Sequence, residues 1–125
     1  MGQSSYKKLI VWQKAMMLVE SVYFFTKKFP PYEANNLMLQ MQRAVVSIPS
    51  NIAEGQYRFS QTQNRQFLKI AYGSCAELET QVQIAVSLGY IRGQEAERLL
   101  KLIDEILMML NKMILRKPSP LKSNL

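Results

Sequence analysis

Arg43, Ser47, Asn51, Glu54 and Arg58 punctuate the largely apolar run RAVVSIPSNIAEGQYR at steps of four, four, three and four residues. On a helix this spacing sets the five side chains along one line. A hydroxyl, an amide and a carboxylate so arranged are the raw material of acyl transfer or acid–base chemistry, provided a base activates the hydroxyl and a third group orients the base. The sequence supplies neither. It contains no histidine, no lysine stands near Ser47, and Glu54 has no visible acid partner or metal-ligand set. The ladder is therefore expected to be architectural and the protein non-enzymatic.

The missing histidine also removes the usual ligands of zinc, haem and di-iron sites. A single cysteine, Cys75, excludes an intramolecular disulfide and a CxxC knuckle, and suits a reducing compartment. No cofactor or metal is expected. The longest apolar runs, such as ILMML at 106–110, fall far short of a membrane span. The opening residues MGQSSY lack the basic and apolar regions of a signal peptide. These features point to a cytoplasmic protein with no membrane partner. With 125 residues, 48% hydrophobic and 20% charged, the chain is sized and composed for one globular domain.

Helical periodicity dominates, and four helices must position the ladder. The first is predicted from about Tyr6 to Lys28, stopped by Phe29-Pro30-Pro31. Pro31 then serves as the first residue of the second, with Glu33 in its first turn. This helix carries Leu37, Met41, Ala44, Val45, Ile48 and Ile52 on one stripe and ends near Gly55 to Tyr57. Ser60-Gln61-Thr62-Gln63 is a capping-box signature for the third helix, which Gly89-Tyr90-Ile91 ends. The fourth runs from about Gly93 to Arg116. Residues 1–5 and 117–125 are expected to be flexible termini around a domain of residues 6–116. Helices of about 22 to 28 residues with short loops predict an all-α, antiparallel up-down-up-down four-helix bundle. At Pro49 the second helix is either kinked or broken, and a kinked, continuous helix better matches its neighbours in length.

The polar faces of the first and fourth helices are narrow. Trp12, Phe24, Phe25, Met108, Met109 and Met113 lie outside them, more apolar surface than one core stripe requires. A second buried face, and hence a homo-oligomer, is expected. Inside such an assembly the polar ladder would fix register. Glu77, midway along the third helix, falls near the level of Arg43, and the two are expected to form a buried or interfacial ion pair.

At these residues the sequence resembles a known family. The segments YEANNLMLQMQRAVVSIPSNIAEG, FLKIAYGSCAELE and LGYI, with Trp12, Ala15 and the Phe29-Pro30 turn, are similar to the four-helix bundle proteins encoded in intervening sequences of bacterial large-subunit ribosomal RNA genes. The likeness covers about residues 6 to 115, and the family pattern falls on Arg43, Ala44, Ser47, Pro49, Asn51, Ile52, Ala53, Glu54, Gly55, Gly73, Ser74, Glu77 and Leu78. The resemblance implies a homopentameric barrel and no known enzymatic activity. It also brings in the accessory variability proteins of diversity-generating retroelements, which partner a reverse transcriptase and bind nucleic acid. The sequence does not choose between the ribosomal and the retroelement setting.

The net charge of +7 favours an anionic partner, RNA or DNA. In an up-down bundle one end collects Lys7, Lys8, Lys14, Arg58, Arg65, Lys69, Lys112, Arg116, Lys117 and Lys122, ten of the sixteen basic residues, with Glu54 as the only nearby acid. Lys7 and Lys8 oppose the macrodipole of the first helix, so helix stability does not explain them. The opposite end collects Lys27, Lys28, Arg92, Arg98 and Lys101 against Glu20, Glu33, Glu79, Glu95, Glu97, Asp104 and Glu105. Tyr57, Phe59 and Tyr72 lie near the basic end, for stacking on unpaired bases or for packing at loops and interfaces. No base-reading signature is present, so charge and shape are expected to dominate recognition. A protein–protein scaffold without nucleic-acid binding is the alternative.

Overall fold

The computed structural model describes residues 6–116; the predicted flexible termini, with Lys117 and Lys122, lie outside the described residues. Among the described residues there are four α-helices and no strands: α1 (Ile10–Thr26), α2 (Leu37–Gln56), α3 (Gln61–Ser87) and α4 (Gly93–Leu115). Neighbouring helices close a ring of contacts, α1 with α2, α2 with α3, α3 with α4 and α4 with α1, giving a bundle-like domain. Each contributes a buried stripe at three- and four-residue steps, exemplified by Ala15, Leu18 and Val22 of α1 and Ile103, Ile106 and Leu110 of α4.

The first helix is shorter than its sequence pattern. Tyr6–Lys8 form a 3-10 turn, and α1 begins only at Ile10, after Leu9, whose side chain offers no oxygen to cap the free amides. At its other end the bonding tightens, with Lys28 N donating to Phe25 O and Phe29 N to Thr26 O, before Pro30 ends it. Pro31 does not open α2 either. Pro31–Glu33 make a second 3-10 turn, and the Glu33 carboxylate instead accepts from the amide of Leu37, the first residue of α2. The lengths are thus 17, 20, 27 and 23 residues rather than uniform.

Local signals further along the chain hold, except that only the serine half of the expected capping box at Ser60–Gln63 is made. The Ser60 hydroxyl accepts from Gln63 N at 3.1 Å and caps α3. Gly89, at φ +79°, supplies the left-handed residue after α3. The helix passes through buried Pro49 without a break.

Of the apolar residues assigned to a second face, Trp12, Phe25, Met109 and Met113 are partly buried against the domain's own core. Phe24 and Met108 are exposed. The open apolar stripe on α1 consists of Ile10, Met17 and Phe24 at seven-residue steps, flanked by Met16 and Tyr23.

Candidate nucleic-acid interface

The ladder on α2 divides into two parts. Its inner part is a hydrogen-bonded seam: the Ser47 and Ser74 hydroxyls are 2.8 Å apart between α2 and α3, and Asn51 Nδ2 donates to both the hydroxyl (2.9 Å) and the carbonyl (2.8 Å) of Ser47. The hydroxyl and carbonyl oxygens of Ser47 are thereby both tied into the seam. One helical turn on, Gly55 is buried where a Cβ would come within 3.1 Å of Phe67 Cβ and 3.2 Å of the Asn64 carbonyl. Glycine there sets how closely α2 approaches α3.

In the outer part, the buried form of the expected Arg43–Glu77 pair is not made. Arg43 and Glu77 are both exposed, and no ion pair joins them within the chain. The cause is register around the helix: at that level α3 buries Leu78 and Gln81, and Glu77 is turned outward, accepting from Gln81 Nε2 at 3.4 Å. Glu54 pairs with Arg58, whose guanidinium also lies 4.6 Å over the Phe67 ring.

These contacts lead into the basic end, where several independent links place the expected cations together. The Tyr6 ring meets Trp12 at 5.4 Å and Tyr57 at 6.0 Å, tying the turn that bears Lys7 and Lys8 to the α2–α3 loop. Arg65 Nη2 donates to the Arg116 carbonyl at 2.7 Å, which joins the start of α3 to the end of α4. Arg65, Lys69 and Tyr72 follow one another at helical spacing on α3, as do Lys112 and Arg116 on α4 and just beyond it. Lys69, Lys112 and Arg116 are exposed, and among the described residues no carboxylate pairs with them or with Arg65.

Lys14 departs from its assignment. Its ammonium lies 3.0 Å from Glu105 Oε1, so this lysine is held between α1 and α4. Glu105 was placed at the acidic end, but it lies just past the middle of α4, within reach of a long lysine on shortened α1. Three of the other acidic residues, Glu20, Glu95 and Glu97, rim with Arg98 a groove between α1 and α4 that Phe24, Phe25 and Leu102 line.

Sequence reasoning missed two further polar clusters. Tyr90 donates to Glu33 at 2.7 Å and lies 3.1 Å from the Tyr32 hydroxyl, which fastens the Pro31–Glu33 turn to the α3–α4 loop and raises the Tyr90 pKa, the Tyr32 and Glu33 hydrogen bonds being its main causes. Gln42 Nε2 donates to the buried Thr26 hydroxyl at 3.1 Å. Both join partners more than a dozen residues apart, which no local spacing reveals. Among the described residues no group of three or more potential metal ligands occurs, and no helix is long and apolar enough to cross a membrane.

The described residues therefore define an all-helical, bundle-like domain with a cation-rich end. The chain belongs to the 23S rRNA-intervening sequence protein family, whose model matches residues 7–112. Its fold is similar to the 1.70 Å crystal structure of a protein of unknown function from the S23 ribosomal protein family of Bacteroides thetaiotaomicron VPI-5482. That likeness has a TM-score of 0.76 at 21% identity, covering 86% of this chain and 100% of the other. No curated protein matches the sequence.

Proposed function

We propose that this protein is a non-enzymatic, cytoplasmic nucleic-acid-binding protein, acting as a homo-oligomer without a cofactor. The observation that carries the reading is that Arg65 and Lys69 on α3 and Lys112 and Arg116 at the end of α4 have, among the described residues, no carboxylate to neutralise them, with Arg65 joined to the Arg116 carbonyl. Lys7 and Lys8 extend the same field across the Tyr6–Tyr57 contact. Phosphate oxygens of RNA or DNA are the anions such a surface suits, because each contact releases condensed counterions. In the assembly we envisage antiparallel helices closed into a barrel, with five subunits as the family resemblance implies. An Arg43–Glu77 pair, which does not form within one chain, then has room to form between copies.

The most specific form of this reading is an accessory protein that binds nucleic acid and a reverse transcriptase in a diversity-generating retroelement. A second reading is favoured by the exposed stripe Ile10, Met17 and Phe24: an oligomeric scaffold, encoded in a ribosomal RNA intervening sequence, with no nucleic-acid binding of its own. Light scattering of the pure protein, alone and with a structured mixed-sequence RNA across a salt series, separates the two. An oligomer that binds RNA, with affinity falling by a log–log slope of roughly 0.7 to 0.9 per neutralised phosphate, supports the first. An oligomer indifferent to RNA supports the second.

A further inference from the structure

Tyr57, Arg58 and Phe59 follow one another in the loop between α2 and α3, and only the first two are held by the rest of the molecule. The Tyr57 ring packs toward Tyr6, and Arg58 is held between Glu54 and the Phe67 ring. Phe59 is 106% exposed, with its whole ring in solvent. Single exposed apolar residues are ordinary on protein surfaces. Phe59 differs in its setting. The Ser60 cap on Gln63 N fixes the backbone directly after it, so the ring is presented from an ordered junction.

A protein-docking core needs contiguous apolar surface depleted of charge. The residues directly beside Phe59 are Arg58, Ser60, Gln61, Thr62 and Gln63, all exposed and all polar, and the one other aromatic of the loop, Tyr57, is turned toward Tyr6, so the loop offers little contiguous apolar surface for such a core. A solvent-exposed ring at the head of the helix that carries Arg65 and Lys69, with which no carboxylate pairs among the described residues, instead matches a stacking platform leading into a phosphate track. Tyr72, half-exposed on the face that carries Arg65 and Lys69, provides a second ring about 18 Å further along α3, at 1.5 Å per residue.

We propose that the nucleic acid is bound as an unpaired strand, with one base stacked on Phe59 and its phosphates on Arg65, Lys69, Lys112 and Arg116. This rests on the nucleic-acid reading above. In a duplex the faces of the bases are already stacked on one another, so only the cations would contribute; an unpaired strand engages both.

The test is fluorescence anisotropy with the full chain, using a labelled single-stranded oligoribonucleotide and the duplex formed with its complement. Phe59→Ala is expected to weaken single-strand binding roughly 5- to 150-fold while leaving duplex binding within about twofold. Phe59→Trp should retain the wild-type preference, and Phe59→Leu, apolar but without a π face, should lose it. Because the ring packs against nothing, all three should melt like the wild type. Unchanged single-strand affinity in Phe59→Ala, or an equal loss on both probes, overturns the stacking role. If Lys69→Glu with Lys112→Glu still abolishes binding, the nucleic-acid reading survives that result. Failure of the wild type to bind either probe overturns the nucleic-acid reading itself. A change of subunit number in Phe59→Ala, seen by light scattering, would assign the ring to a contact between copies and overturn the proposal.

Discussion

Ser47 on α2 and Ser74 on α3 bring their hydroxyl oxygens to 2.8 Å, and Asn51 donates into the same Ser47 oxygen. The two serines are therefore unequal. Removing the Ser47 hydroxyl takes an acceptor from Asn51 and a partner from Ser74, whereas removing that of Ser74 leaves the Asn51–Ser47 bond intact. Replacing serine by alanine in a helix gains up to about 0.5 kcal/mol in either case, so the difference between the variants isolates the network. Ser47→Ala should be less stable than Ser74→Ala by about 1 kcal/mol in urea unfolding. The double variant should lose less than the sum, with a coupling of about 0.5–1 kcal/mol.

Two glycines in the motif region should respond to alanine with opposite signs. At Gly55 a new methyl meets the Asn64 carbonyl and Phe67 Cβ, both fixed to the α3 backbone, so the helices must part. Overpacking of this kind costs about 1–3 kcal/mol, and helix propensity offsets little of it one residue from the end of α2. At Gly73, inside α3, nothing lies within 4 Å of the added carbon, and the propensity gain of about 1 kcal/mol stands alone. Gly55→Ala should melt a few degrees lower than the wild type and Gly73→Ala a few degrees higher.

Those glycines also show where the sequence was legible. Helix boundaries written by local chemistry were readable: the Ser60 cap, the Phe29-Pro30 stop and the turn at Gly89 each depend on neighbours along the chain. The start of α1 was not, because nothing in the apolar pattern reveals that Leu9 leaves the first amides uncapped. The approach of Arg65 on α3 to Arg116 just beyond α4 is consistent with the connectivity of neighbouring helices. Side-chain pairing does not follow from connectivity, since it depends on rotation about each helix axis. An error of one position moves a side chain by about 100°, enough to turn Glu77 outward where Leu78 is buried. The Lys14–Glu105 pair was missed for a related reason, the assumption of equal helix lengths.

Cys75 is buried within α3, its thiol 3.7 Å from the Ile103 carbonyl. Burial, with a contribution from the Glu79 carboxylate, pushes its pKa from 9.0 up to about 12. The folded state thus holds its proton at pH values where the unfolded chain releases it. The sign follows: this contribution is fully present below about pH 9 and is lost as pH rises toward 12. Native protein at pH 8 should leave a thiol reagent unreacted until denaturant is added. In Cys75→Ala the overall stability falls, but the alkaline decline in unfolding free energy should be shallower than in the wild type.

The basic end makes its own quantitative prediction, because its lysines are not equivalent. Lys14 is 3.0 Å from Glu105, so a phosphate approaching it meets a neutralised pair. Lys69 and Lys112 have no such partner among the described residues and lie on the helices that Arg65 and the Arg116 carbonyl join. Counterion release counts phosphates neutralised, so only cations in contact with the strand enter the salt slope. Replacing Lys69 or Lys112 by glutamine should reduce the slope of log affinity against log salt by roughly 0.7 to 0.9 each. Lys14→Gln should leave the slope unchanged and alter unfolding by less than about 1 kcal/mol, the usual worth of a partly exposed pair. Titrations of the three variants with one single-stranded oligonucleotide at several salt concentrations check this ordering. Equal slopes for all three would mean that the cations of α3 and α4 are not the phosphate track.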